Sequence, residues 1–108
     1  MGHQIDESTT SEDLMVAVAN GNKFAFEVLV SRHQTRILNT VYRFIGDRTE
    51  AEDLTQEVFL RIWRAAKRYR PSAKFTTWAY RITANLCINQ LKSANRKRIF
   101  AFLQQPDK

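Results

Sequence analysis

An all-α fold, a compact bundle of about four helices, is the expectation for this chain, and three observations carry it. Only three glycines and two prolines occur in 108 residues, too few turn formers for a strand-rich domain of this length. The apolar residues recur at intervals of three and four rather than two, the spacing of one helix face. The length suits a single domain with one modest core, and 44% hydrophobic with 26% charged residues is the composition of a soluble chain.

The first helix is predicted from about Ser11 to Asn20, with Ser11 as its cap, Glu12 and Asp13 in its positive first turn, and Gly21 just past its end. The second follows Asn22 and carries Phe24, Val28, Leu29, Ile37, Leu38, Val41, Tyr42 and Ile45 before Gly46 stops it; it is read as the spine of the core. The third opens on "TEAE", where Thr49 and Glu52 match the reciprocal capping arrangement. Its inward stripe is Ala51, Leu54, Val58 and Ile62, while Phe59, Leu60 and Trp63 form a second apolar face that invites a partner.

Pro71 and Ser72 are read as ending the third helix, leaving an ordered loop before a fourth that starts near Thr76 or Thr77. The fourth continues through "WAYRITANLCINQLKSANRKR" with Ala79, Ile82, Leu86 and Cys87 facing inward and cations gathering toward its end, where they suit the negative pole. Residues 1–10 read as a disordered leader and 11–98 as the domain. Residues 99–108 fit either an extension of the last helix or the start of a linker.

Several classes of function are disfavoured by the same sequence. No apolar run approaches the roughly 18 residues that a membrane span needs, so membrane insertion is not expected. The polar, acidic start lacks the order of a secretory signal, and the single cysteine, Cys87, has no partner for an internal disulfide; both favour a cytoplasmic setting. Cys87 reads as a small buried apolar residue. No phosphate-cradling glycine loop, metal-ligand cluster or nucleophile with a nearby base is visible, so no enzyme, metal or cofactor is expected. His33 sits alone on its helix as a structural histidine, and His3 falls in the leader.

Charge divides the chain. Residues 1–57 hold five Lys/Arg against ten Asp/Glu, whereas residues 58–106 hold eleven Lys/Arg and no acid. Such a division indicates two different partner surfaces, with a polyanion the candidate for the basic half. In the acidic half, Asp53, Gln56, Glu57 and Leu60 fall on one side of the third helix and can dock on a basic helix, although acids early in a helix also have a dipole explanation. In the basic half, "RYRPSAKFTTW" interleaves Tyr69, Phe75 and Trp78 with Arg68, Arg70 and Lys74. Rings between cations grip single-stranded nucleic acid, because every base offers a face for stacking while Lys and Arg follow the phosphates. Phe75 and Trp78 fit core anchoring equally well. Beyond the loop, Arg81, Asn85, Asn89, Lys92 and Arg96 recur at about one helical turn as a ridge of donors. Asn85 fits either a base edge or an inward tie between helices. A duplex-binding helical regulator and a protein-only adaptor are the rival readings.

Taken together, "AEDLTQEVFLRIWRA" followed by "FTTWAYRITANLCINQLKS" resembles the region 2 domain of bacterial sigma factors of the extracytoplasmic function (ECF) class, from about Asp13 to Arg98. The resemblance implies the sigma region 2 fold and a transcription initiation factor without enzymatic activity. It implies docking on core RNA polymerase, at the β′ clamp helices, through Asp53, Gln56, Glu57, Leu60 and Arg61. It also implies recognition and melting of the promoter −10 element, with Tyr69, Arg70, Ser72, Lys74, Phe75, Ile82 and Asn85 around a flipped non-template base, Tyr69 being the ring expected to meet it. An anti-sigma protein is a further partner common in the class. The second, −35-reading domain that such factors carry has no counterpart in these residues.

Overall fold

The computed structural model describes residues 4–104. Four helices run in order: α1 (Ser11–Ala19), α2 (Lys23–Ile45), α3 (Arg48–Ala65) and α4 (Phe75–Leu103), with a 3-10 turn, Ala66–Arg68, after α3. No strand occurs among the described residues, in agreement with the all-α expectation. The core closes where α2 packs against each of the other helices and α4 lies along α3.

Local chemistry sets each helix end. Thr10 caps α1 by accepting from the Asp13 amide at 3.0 Å, so the expected cap, Ser11, is instead the first helical residue. Asn22 caps α2 by accepting from the Ala25 amide at 3.0 Å. Gly46 ends α2 at φ +80°, a left-handed conformation in which its amide reaches the Tyr42 carbonyl at 2.8 Å. α3 is capped by Asp47, whose carboxylate accepts from the Glu50 amide at 2.9 Å. The "TEAE" capping box is therefore not used: Asp47, two residues earlier, is as good an acceptor and starts the helix sooner.

Packing corrects several expectations. The buried face of α3 is Ala51, Thr55, Val58, Phe59 and Ile62. A hydroxyl marks Thr55 as polar in the sequence, but its Oγ1 donates to the Ala51 carbonyl at 2.7 Å, and Thr83 donates to Ala79 at 2.8 Å in the same way. Phe59 is core, and Trp63 is half-buried edge-on to Phe26 with ring centroids 5.1 Å apart. That leaves Leu60 as the exposed member of the second apolar face. Phe24 and Tyr42 also point outward, since Ala25, Leu29, Ile37 and Val41 supply the inward face of α2.

The chain ends and the segment between α3 and α4 take the following form. Residues 4–9 form a turn in which Ser8 binds Asp6, and Arg32 donates to the Asp6 and Thr9 carbonyls. Ile5 packs against the core; Met1 to His3 lie outside the described residues. α3 ends at Ala65, well before Pro71, where a 3-10 turn packs on α1 and redirects the chain, burying Ala66 and then Tyr69. α4 starts at Phe75, slightly earlier than expected, and keeps its helical form through Leu103; residues 105–108 lie outside the described residues. Its buried positions end at Cys87. Beyond them, Ile99, Phe100, Phe102 and Leu103 are exposed.

Candidate functional site

Two exposed faces carry the residues that the sequence assigns to partners. On α3, Asp53, Gln56, Leu60 and Arg61 are exposed and Glu57 is half-buried, all on the side turned away from Val58 and Ile62. Glu57 Oε1 lies 3.6 Å from Arg61 Nε and 3.7 Å from an Arg64 guanidinium nitrogen. Pairs this long and this wet contribute little to stability, so a partner can exchange them at small cost. Beside this face runs a groove of about 470 Å³ between α2 and α3, lined by Phe26, Val30, Gln34 and Leu38 with Gln56 and Leu60. Of the α2 wall, only Leu38 stands among the apolar positions expected for that helix, where it reads as core; Phe26, Val30 and Gln34 carry no mark of a groove in the sequence.

The second face is the segment from Tyr69 to Lys74 with the outward side of α4. Arg70, Ser72 and Lys74 are exposed, as are Arg81, Asn85, Asn89, Lys92 and Arg96, while Trp78 and Ile82 are half-buried. An exposed Asn85 closes the alternative of an inward tie between helices. No acid occurs anywhere in α4.

Two residues expected to present rings do not do so. Phe75 is fully buried and Tyr69 is 7% exposed. The Tyr69 hydroxyl donates to the Ala73 carbonyl, folding the loop over its own ring. That ring also meets Trp78 edge-on at 4.9 Å, and Trp78 lies 6.2 Å from Phe75. The three rings form a ladder under the loop, and of them Trp78 keeps the most open surface. Burial, with the nearby Glu12 carboxylate, pushes the Tyr69 phenol up from its ordinary value, so the hydroxyl remains a donor.

Residues outside the motifs hold this loop. Lys74, at the cap position of α4, supplies no capping side chain. Glu12 of α1 does, its Oε2 accepting from the Phe75 amide at 2.7 Å. The His33 ring lies against Phe75 at 4.7 Å, and its Nε2 is hydrogen-bonded to the Ser11 hydroxyl at 2.8 Å. Burial and then the charges of Arg32 and Arg36 lower the His33 pKa, with Glu12 opposing, so the ring packs as a neutral group. Nothing local marks Glu12 as the cap of a helix 63 residues away; an acid in the first turn of α1 already had an explanation. Cys87 is buried, and burial raises its thiol pKa, leaving it unreactive.

No group of His, Cys, Asp and Glu among the described residues is arranged to hold a metal ion. No helix among them is long and apolar enough to cross a membrane.

The sequence matches the family described as Sigma-70 region 2 over residues 29–97. It is 38% identical over 86 residues to the RNA polymerase sigma-H factor of Pseudomonas aeruginosa, covering 80% of this chain and 45% of that one. It is 32% identical over 93 residues to the ECF RNA polymerase sigma-E factor of Escherichia coli K12, covering 86% and 48%. The chain thus spans about half the length of the curated relatives it matches. Among solved structures, an engineered region 2 of sigma-E in complex with GTAAAA superposes with a TM-score of 0.77 at 32% identity, covering 86% of this chain and 97% of the other. CnrH in complex with the cytosolic domain of CnrY superposes with a TM-score of 0.69 at 25% identity, covering 91% and 67%.

Proposed function

Because the chain belongs to the sigma-70 region 2 family, with ECF sigma factors among its relatives, we propose that it is the part of a transcription initiation factor that docks on core RNA polymerase and reads the promoter −10 element as a single strand. Sigma factors are not enzymes, and on this reading the chain acts by binding alone. The observation that carries it is the exposed ridge from Arg81 to Arg96 on an acid-free helix, with Arg70 and Lys74 exposed on the loop before it. Burying the core does not require those side chains, and their spacing suits a polyanion.

The α3 face and the adjoining groove engage the β′ clamp helices, with Asp53, Gln56, Glu57 and Arg61 supplying polar contacts and Leu60 an apolar one. The loop and α4 receive the non-template strand. Arg70 and Lys74 hold phosphates, Ser72 and Asn85 meet base edges, and the open side of Trp78 with Ile82 receives a flipped base. Flipping costs a few kcal/mol, which stacking and hydrogen bonds at the rim must offset. Tyr69 and Phe75 support this pocket from below. A further protein partner, of the anti-sigma kind, is supported by the exposed apolar end of α4 and by the CnrH neighbour, solved in complex with the cytosolic domain of CnrY.

Two measurements test the reading. Immobilised chain should capture core polymerase, and Gln56→Ala with Glu57→Lys should abolish capture while helicity stays intact; unaltered capture removes the docking assignment. Single strands carrying a randomised hexanucleotide window should yield an enriched sequence on the chain, and retention without enrichment removes the base-reading assignment. A duplex regulator and a protein-only adaptor both predict no polymerase capture.

A further inference from the structure

The promoter reading leaves unexplained why the loop that carries Arg70, Ser72 and Lys74 should hold one shape. It is short and exposed, and α4 begins beneath it without a capping side chain of its own. Resting on that reading, we infer that Glu12 is the positioning residue that sets the loop for strand discrimination, acting from α1 through the first amide of α4.

Three observations converge on this. The Glu12 carboxylate accepts from the Phe75 amide at 2.7 Å, and Phe75 is the first residue of α4 and the end of the loop. The Phe75 side chain is fully buried beneath the His33 ring, which the Ser11 hydroxyl, next to Glu12, holds in turn. The other end of the loop is closed by Tyr69, which is buried against Trp78 just after the turn that packs on α1 and is bonded through its hydroxyl to Ala73. One turn of α1 therefore governs the C-terminal anchor of the loop, and α1 also packs on the turn, Ala66–Arg68, that leads into the N-terminal one. Glu12 lies outside residues 29–97, the span that matches the family.

The charge matters as well as the bond. An uncapped helix N-terminus presents free N–H groups and a positive pole, the arrangement that binds phosphate. With its carboxylate already there, Glu12 fills that position at the head of α4. A strand phosphate is turned away from it and toward Arg70 and Lys74. The same group thus fixes the loop and denies the backbone a contact that is blind to sequence.

The test compares Glu12→Ala and Glu12→Gln with the unaltered chain in two measurements. In the first, without nucleic acid, amide exchange at Phe75 should quicken about fivefold in Glu12→Ala, the loss expected of one capping bond, while amides within α3 keep their rates. In the second, the affinity ratio between the strand enriched by the unaltered chain and its scrambled counterpart should fall about fivefold in Glu12→Ala. Most of that fall should be weaker binding of the enriched strand, with scrambled strand bound as well as before or better. Glu12→Gln keeps an oxygen acceptor for the Phe75 amide but not the charge, and should recover part of the ratio, with scrambled strand held more tightly than by the unaltered chain. Polymerase capture should be the same for all three chains.

Equal weakening on both strands overturns the inference, since that is what general loosening of the bundle would do. An unchanged ratio, or an unchanged Phe75 exchange rate, also overturns it. If the unaltered chain enriches no sequence, the promoter reading falls and the role of Glu12 with it. If the unaltered chain discriminates and Glu12→Ala discriminates equally well, the role of Glu12 alone falls.

Discussion

The α3 face and the loop before α4 reach a partner surface by opposite routes. Asp53, Gln56, Glu57, Leu60 and Arg61 stand on one helix whose other side is buried through Val58 and Ile62, so helical spacing alone brings them together. The loop draws its shape from three separate helices: Glu12 and Ser11 on α1, His33 on α2 and Trp78 on α4. A surface built on one helix is robust and legible in sequence. One built on a loop between anchors depends on contacts distant in the chain, and changes far from the loop can alter it.

That difference is open to attack in descending order of effect. Phe75→Ala removes a fully buried ring between His33 and Trp78 and should cost about 3–5 kcal/mol in urea unfolding. A loss below about 1 kcal/mol would mean that the loop is not anchored in the core, and the contrast with α3 would fail. Asn85→Ala leaves the bundle untouched, since the side chain is exposed. It should lower discrimination between enriched and scrambled strands by about 1–3 kcal/mol, the range for a base-edge contact. Lys92→Ala, by contrast, should weaken all strands alike and flatten the salt dependence, as a phosphate contact does. If the two variants behave alike, the ridge is a simple charge track.

The smallest effect is on pH dependence. Packed against Phe75, His33 has a pKa below its ordinary 6.5, so the unfolded chain binds more protons in the interval beneath that value. The contribution is complete above about pH 6.5 and declines as pH falls toward the folded-state pKa. Urea midpoints should therefore drop on acidification, and His33→Gln should flatten that drop if its amide keeps the Ser11 contact. An unaltered slope would mean that His33 does not respond to its burial.

Much of the fold was legible because it is local. Asn22, Gly21 and Gly46 punctuate the chain by their own backbone chemistry, and the spacing of Ala51, Val58 and Ile62 identifies the inward side of α3 without reference to any other helix. The misassignments came where two readings had equal local support. Thr10 or Ser11, and Asp47 or Thr49, are nearby acceptors of similar strength, and in each pair the earlier one caps the helix. Thr55 reads as polar until its hydroxyl is seen to bond the turn before it.

The two faces divide in the same way. The acid-free composition of residues 58–106, the ridge from Arg81 to Arg96 and the docking set on α3 follow from residue type and helical period, which are properties of sequence. Which rings face solvent does not. Tyr69, Phe75 and Trp78 share one short stretch and similar hydrophobicity, yet Phe75 is buried, Tyr69 nearly so and Trp78 only in part. That ordering comes from α1 and α2 closing over the loop. The bond from Glu12 to Phe75 depends on the same closure, because it joins residues that meet only once the bundle has formed.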